Sequence, residues 1–268
     1  MYQKLSFLII CLIIFISNQS CNKSDGNVTP DGQGCNLLSN GSQANKAIST
    51  FTYDSHNHLI TANIVFPPYV TFVHRRMHTL EYNVQGQVIK MFQEHIDSLD
   101  KVVYSSDFRF EYDNSGKISS FYYHPDTSSR HRLKYDTKGR LTHIYLPSRL
   151  DNQYYRHEYD DNDNCTKSYT YSGDKEYMNQ GESVFDDKKS PYENWGVLGW
   201  LIGLNILSKN NLTSYSIFNS DGVKIGTYTC DMTYNEKGYP ATATYTYEDH
   251  KTHTFTYYAP DTLKYNCQ

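Results

Sequence analysis

Apolar and polar residues alternate in short stretches along most of the chain, and many of these stretches end in a tyrosine followed by a turn-forming sequence. In Leu80-Glu81-Tyr82 the first and third residues share one face of a strand, and the charged residue between them faces the other way. This period of two predicts β-strands with one buried and one wet face. The six copies carry Tyr53, Tyr82, Tyr112, Tyr135, Tyr159 and Tyr234, and the residues two positions earlier are Phe51, Leu80, Phe110, Leu133, His157 and Met232.

Each of these tyrosines is followed by Asp or Asn, two variable residues and, in four copies, Gly, as in Tyr135-Asp-Thr-Lys-Gly139. An Asp or Asn side chain accepts hydrogen bonds from the next turn amides, and Gly adopts the positive φ that closes a type I turn with a bulge. The frame therefore predicts a β-hairpin at every copy. The glycines expected in the left-handed region are Gly86, Gly116, Gly139 and Gly238, with Asn57 and Asp163 in the same slot of the other two copies.

Successive copies between Tyr53 and Tyr159 start 23 to 30 residues apart, which leaves room for one hairpin per copy. Neighbouring hairpins that pair edge to edge form a long antiparallel meander, and closure removes its exposed edges. A further alternating pair of strands is predicted in Ala241 to Tyr258. The composition fits, because 26 Tyr and 12 Phe suit pleated surfaces. We predict an all-β fold, an antiparallel meander of hairpins closed or nearly closed into a barrel.

The repeat lapses between Tyr159 and Tyr234, where Pro191 to Leu212 contains both tryptophans among apolar residues. This segment predicts a short helical or loop plug near residues 191–208 that closes one barrel mouth, with Asn210 and Asn211 at a helix C-cap. The alternative is an aromatic platform, built on Trp195 and Trp200, for a ligand at the other mouth.

The N-terminus differs from the rest of the chain. A largely apolar run from Leu5 to Ile16 is too short to span a bilayer and predicts a signal peptide over residues 1–20. Cys21 at its end is the expected lipidation site, against ordinary cleavage that leaves a plain thiol. Residues 21–46 are rich in Asn, Gly, Ser and Asp and predict a flexible tether. The repeat-built β domain is then expected over residues 47–268.

The frame of Tyr135 to Leu141, Tyr-Asp-x-x-Gly-Arg-Leu, resembles the YD repeat of Rhs-type shell proteins. Together with the lipoprotein-like signal, the chain resembles a family of Bacteroidota lipoproteins with a porin-like β fold. The resemblance covers roughly Phe51 to Tyr258. It implies a fold and a location at the outer membrane, on the periplasmic or cell-surface face, and it implies no site residue. Alternation alone leaves open whether the barrel spans the membrane or is soluble.

Four cysteines remain after Cys11 and Cys21, and in an oxidising compartment they allow three pairings. Cys35 precedes the first predicted strand and Cys267 follows the last, so closure of the sheet would bring them together. We predict a Cys35 to Cys267 disulfide, against unpaired buried thiols. Cys165 and Cys230 share the inner face and are candidates for a second pair.

The residues that could carry chemistry form no recognised motif. A net charge of −4 argues against a nucleic-acid partner. No nucleophile elbow, zinc-protease helix, phosphate loop or dinucleotide fingerprint is present, and no catalytic residue is assigned. Histidine pairs such as His56 and His58 lack the spacing of a zinc site, so neither a metal nor a cofactor is expected.

The sequence therefore predicts an exported, lipid-anchored binding or interaction protein of the bacterial envelope, with a glycan or protein ligand that it does not identify. The alternatives are a small glycan-active enzyme, which would need paired carboxylates in a cleft, and a purely structural envelope component.

Overall fold

A computed structural model describes residues 35–42, 47–66, 73–147, 153–172, 175–192, 195–202 and 207–267. The predicted signal peptide, Cys21 and the first part of the tether lie outside these residues. The strands are β1 (Cys35–Ser42), β2 (Ala47–Tyr53), β3 (Leu59–Val65), β4 (Arg75–Tyr82), β5 (Val88–Ile96), β6 (Val102–Tyr112), β7 (Ile118–Tyr123), β8 (His131–Tyr135), β9 (Leu141–Tyr145), β10 (Tyr154–Tyr159), β11 (Cys165–Ser172), β12 (Lys175–Lys189), β13 (Asn210–Phe218), β14 (Lys224–Tyr234), β15 (Pro240–Asp249), β16 (Thr254–Tyr257) and β17 (Asp261–Cys267). A 3-10 turn spans Thr127–Ser129, and one short helix, α1, spans Val197–Leu201.

The strands form one closed antiparallel sheet. Apart from β16 and β17, each strand pairs with its neighbour along the chain, and β1 pairs with both β2 and β17, which closes the ring. Strands β16 and β17 both pair with β15, at its opposite ends, so the 17 strands fill sixteen positions. The predicted all-β barrel is confirmed.

Strand β1 corrects the expected tether. The sequence predicts a flexible tether over residues 21–46, yet Cys35–Ser42 is a strand with alternating burial, and Leu37 is fully buried. The alternation of β1 is hard to see in its sequence, because most of its residues are polar. The strand is held in the sheet by pairing with β17, at the far end of the chain. The β domain therefore includes Cys35–Ser42.

The two faces of the barrel wall differ in polarity. Inward positions carry residues such as Phe51, Ala62, Leu80, Met91, Phe108 and Ile144, which belong to one continuous apolar core. The outward positions between them are mostly polar: the hydroxyls of Thr52 and Thr61 lie 2.6 Å apart, and Lys90 Nζ lies 2.7 Å from Glu81. The alternation predicted for each strand thus places apolar residues inside and polar residues outside.

All six predicted turns lie at the same end of the barrel, which we call the Tyr-turn end (residues 54–58, 83–87, 113–117, 136–140, 160–164 and 235–239). In each turn the leading Asp or Asn Oδ1 accepts the amides two and four residues later, at 2.8 to 3.0 Å. The fourth residue has positive φ: 64° at Asn57, 77° at Gly86, 81° at Gly116, 86° at Gly139, 65° at Asp163 and 81° at Gly238.

Two turns at the opposite end have the same geometry but lack the tyrosine. They begin at Asp97 and Asn219, and their fourth residues, Asp100 and Gly222, have φ of 59° and 74°. The residue before each is Ile96 or Phe218. The turn is thus set by the Asp or Asn, and the tyrosine has a separate role.

The predicted plug enters the barrel at the Tyr-turn end, between β12 and β13. Tyr192, Trp195, Ile202 and Leu207 are buried in the core. In the described part of this segment, the helix consists of the five residues of α1. The proposed C-cap is wrong, because Asn210 and Asn211 begin β13, where Asn211 binds the Asp186 carboxylate.

The four cysteines that the structure describes separate into one disulfide pair and two thiols. Cys35 and Cys267 are joined by a disulfide that links β1 to β17. Cys165 and Cys230 are free and buried, so the second pair considered from the sequence is wrong. Burial raises the pKa of each thiol to about 12, which keeps both protonated.

Among the described residues, no helix combines the length and apolar character needed to cross a bilayer.

Candidate functional site

In five of the six repeats the tyrosine holds its own hairpin to the preceding one. Tyr82 Oη donates to the carbonyl of Leu59 at 2.9 Å, and Leu59 is the first residue after the previous turn. The same bond recurs around the ring, from Tyr53 to Leu37 (3.0 Å), Tyr112 to Val88 (2.8 Å), Tyr135 to Ile118 (2.8 Å), Tyr159 to Leu141 (2.7 Å) and Tyr265 to Pro240 (2.7 Å). We call this set the hydroxyl ring.

The hydroxyl ring explains why the repeat requires tyrosine. Burial raises the pKa of Tyr82, Tyr112 and Tyr135 above the ordinary value, so each hydroxyl keeps its proton and donates it. A phenylalanine would fill the same space but leave the carbonyl without this donor. Tyr234 departs from the ring and binds the Asp186 carboxylate instead.

A cavity of about 170 Å³ lies between the Tyr-turn end and the plug. Four adjacent hairpins supply one wall, through the tyrosines of the hydroxyl ring and the turn glycines. The plug supplies the facing wall. The aromatic lining residues are Tyr53, Tyr82, Tyr112, Tyr135 and Trp195, and the aliphatic ones include Leu59, Val88, Ile118, Leu141, Val197, Leu198 and Leu207. The cavity is smaller than most drug-sized pockets and has room for one ring-sized group.

Aromatic contacts fix both walls of the cavity. The Trp195 ring packs edge-on against Phe51, 4.9 Å between centroids, and against Tyr192, 5.1 Å. His58 stacks on Tyr82 at 4.7 Å. Trp200 contacts Tyr155 at 5.6 Å and is not among the lining residues. The two tryptophans therefore form no platform at the other mouth, and Trp195 serves as part of the plug.

Two cations lie at the cavity, and they differ in what they bind. Arg140 is committed to the protein, since it contacts Asp136 Oδ2 at 2.7 Å and Asp163 Oδ1 at 3.2 Å and thereby joins two turns. The Lys117 ammonium lies over the Tyr135 ring, 5.7 Å from its centroid, and makes no ion pair with any described residue. Lys117 is therefore the charged group that a ligand in the cavity would meet.

The described lining of the cavity offers no pair of carboxylates for glycoside hydrolysis. Its described lining residues include neither aspartate nor glutamate. A buried carboxyl does occur at Asp261, where burial raises the pKa to about 7, but Asp261 lies on β17 and does not line this cavity. The geometry required of the glycan-active enzyme is absent from this site.

The buried histidines of the inner face belong to the core. His78 Nδ1 lies 3.3 Å from the carbonyl of Ala62, and its Nε2 lies 3.0 Å from Gln93. His157 Nδ1 lies 3.1 Å from the Ser168 hydroxyl. Burial lowers the pKa of both imidazoles to about 3, so both are neutral at physiological pH.

Comparison with known proteins gives a match in fold. No protein family and no curated protein matches the sequence. A porin-like protein from Bacteroides uniformis is similar in structure, with a TM-score of 0.53 and 14% identity over 92% of this chain and 100% of that chain. A porin-like protein from Bacteroides vulgatus has a TM-score of 0.38 and 10% identity, over 87% and 99% of the two chains. A Photorhabdus luminescens Tc holotoxin pore has a TM-score of 0.22 and 12% identity, over 79% of this chain and 9% of that chain.

At such identity the first match shows a shared fold alone, and the two lower scores carry no argument. The chain therefore has a porin-like barrel fold. The lipoprotein signal and the kinship with YD repeats stay predictions.

Proposed function

We propose that this protein is a lipid-anchored binding protein of the bacterial envelope that holds one sugar ring of a glycan in the cavity at its Tyr-turn end. The observation that carries the proposal is the cavity itself. Its walls are largely aromatic, it has room for one ring, and the Lys117 ammonium beside it lies over the Tyr135 ring and makes no ion pair within 4 Å among the described residues. Aromatic walls with a few polar groups are typical of small-molecule sites.

The walls are built to persist without a ligand. The hydroxyls of Tyr53, Tyr82 and Tyr112 are already bonded to backbone carbonyls, so binding needs no rearrangement of the ring. A ligand would pack on the exposed ring edges and faces and direct an acceptor, a hydroxyl or a carboxylate, toward Lys117. Preorganised walls lower the entropic cost of binding.

The polarity of the barrel wall supports a domain that lies in water beside the membrane. Porins that cross the outer membrane expose an apolar band to lipid and keep polar residues inside. Here the faces are reversed, with Glu81, Lys90 and Arg109 on outward positions of adjacent strands. A lipid on Cys21 would then supply the membrane attachment.

The binding test uses a glycan screen with the untagged protein, followed by titration of the strongest ligand. Val197→Phe fills the cavity from the plug side and should weaken binding by at least about tenfold, since overpacking excludes the ring. Val184→Phe is the matched control, because Val184 lies on β12, is 55% exposed and is not a lining residue. Absence of any glycan ligand, or equal affinity in the Val197→Phe variant, would overturn the proposal.

The anchoring test is independent of the ligand. The wild-type protein should fractionate with membranes and carry the mass of a diacylated or triacylated cysteine, whereas Cys21→Ser should be released into the soluble fraction. Membrane association retained by Cys21→Ser would refute lipid anchoring and leave the cavity proposal standing.

A further inference from the structure

The first turn of the Tyr-turn end brings together three groups of a kind that binds transition metals. Asp54, His56 and His58 each direct one donor atom to a common region, with all donors within 4.8 Å of one another. The Asp54 Oδ2 atom lies 2.9 Å from His58 Nδ1 and 4.0 Å from His56 Nδ1. Donors on a tetrahedral zinc ion lie about 3.4 Å apart, given bond lengths of about 2.1 Å, so the two distances bracket the required spacing.

The turn itself orients the carboxylate. Asp54 Oδ1 accepts the amides of His56 and His58, at 2.8 and 2.9 Å, which leaves Oδ2 directed at the two imidazoles. The fold of the turn therefore aims the oxygen that a metal needs.

His58 is also held in place by its surroundings. Its ring stacks on Tyr82, 4.7 Å between centroids, and lies beside Gly86, where a Cβ would come within 3.0 Å of Nε2. The neighbouring hairpin thus leaves room for the imidazole. His56 is 78% exposed, so it can adjust by the few tenths of an ångström that a bound ion requires.

The other turns show what is specific to this one. In the turn that begins at Asp136, the first and fifth residues, Asp136 and Arg140, form an ion pair. Asp54 and His58 occupy the same two positions, and a structural role alone would account for their contact in the same way. The third position distinguishes them. It carries Lys138 in that turn and Gln85 in the turn that begins at Asn83, whereas here it carries a second imidazole on the same carboxylate oxygen.

We propose that Asp54, His56 and His58 bind one divalent transition-metal ion of the zinc type, with water in the remaining positions. Two imidazoles and one carboxylate suit zinc, nickel or copper and do not suit magnesium or calcium, which prefer oxygen ligands. His58 and Asn57 line the cavity, so the ion would sit on its rim. The proposal stands on the three side chains and does not depend on the glycan.

The test is calorimetric titration of the untagged chain with Zn²⁺, with Mg²⁺ as the competing ion. The wild-type protein should bind one equivalent, His56→Gln should bind at least about tenfold more weakly, and His56→Gln with His58→Gln should show no binding. Zn²⁺ should also raise the unfolding temperature of the wild type and not that of the double variant. His253→Asn is the matched control, since His253 is exposed and outside the cluster.

The variants are designed to keep the fold. Gln85 and Gln87 occupy the same two turn positions in the next repeat, so glutamine is already compatible with this turn, and most of the His56 side chain is exposed. Equal Zn²⁺ affinity in His56→Gln, displacement of Zn²⁺ by Mg²⁺, or no binding by the wild type would each overturn the proposal.

Discussion

Replacing one tyrosine of the hydroxyl ring by phenylalanine should destabilise the barrel although it removes a single oxygen. In Tyr112→Phe the 2.8 Å bond to the Val88 carbonyl is lost, while the ring keeps its packing. A net hydrogen bond contributes about 1 kcal/mol, and a buried carbonyl left without a donor costs somewhat more, so we expect a loss of about 1–2 kcal/mol. This cost arises at the junction between two hairpins.

The assay is equilibrium unfolding in urea with the disulfide oxidised. With a denaturant slope of about 3 kcal/mol/M, the midpoint of Tyr112→Phe should fall by about 0.3–0.7 M. Tyr257→Phe is the control, because Tyr257 is 75% exposed and should shift the midpoint little. Tyr53 lies four strands from Tyr112, roughly 19 Å away, so the two losses should add in the double variant. A midpoint for Tyr112→Phe equal to that of the control would refute the role assigned to the ring.

Three further predictions concern a turn, a buried acid and the disulfide. Gly238 has φ of 81° and open space around the position of a Cβ, so Gly238→Ala should lower the unfolding free energy by about 1 kcal/mol through backbone strain alone. Gly238→Asn should cost less, because Asn57 adopts a positive φ at the same position of another turn. The urea midpoints of the two variants would separate these effects. Burial raises the pKa of Asp261 to about 7, so the stability that its protonated form contributes is complete below the unfolded pKa of about 3.9 and is lost as pH rises through 7. Asp261→Asn should therefore stabilise the protein by on the order of 1–2 kcal/mol at pH 8 and have little effect at pH 4. An equal effect at both pH values would contradict this prediction. The disulfide between Cys35 and Cys267 closes a loop with a sequence separation of 232. The double variant Cys35→Ala, Cys267→Ala should lower the unfolding free energy by roughly 5 kcal/mol, because the unfolded chain gains conformational entropy. Unchanged stability would show that strand pairing alone closes the barrel.

Local chemistry explains what the sequence could predict. Each turn is decided within five residues, since the Asp136 side chain bonds amides two and four positions away and Gly139 supplies the positive φ. The alternation before each turn then decides which side chains face inward. These two signals suffice for a closed hairpin meander, and they also placed the plug, because a long apolar segment without alternation cannot remain on a wet surface.

Interactions between hairpins explain what the sequence could not predict. The acceptor of the Tyr135 hydroxyl is Ile118, 17 residues away, and nothing in either local sequence marks the pairing. Strand β1 was assigned to a tether because its partner β17 lies at the other end of the chain. The cluster on the first turn was missed for another reason: two histidines were visible, but the carboxylate oxygen that joins them is aimed only by the folded turn.

The disulfide between β1 and β17 makes the order of the strands circular. With the two ends of the domain side by side, the ladder has neither a first nor a last member, and any hairpin is equivalent as a starting point. A rearranged gene that joins position 267 to position 35 through a short spacer and opens the chain at Leu99, which is 84% exposed, would encode the same barrel. The architecture is therefore a property of the closed cycle of hairpins, and the position of the chain termini within that cycle is free to vary.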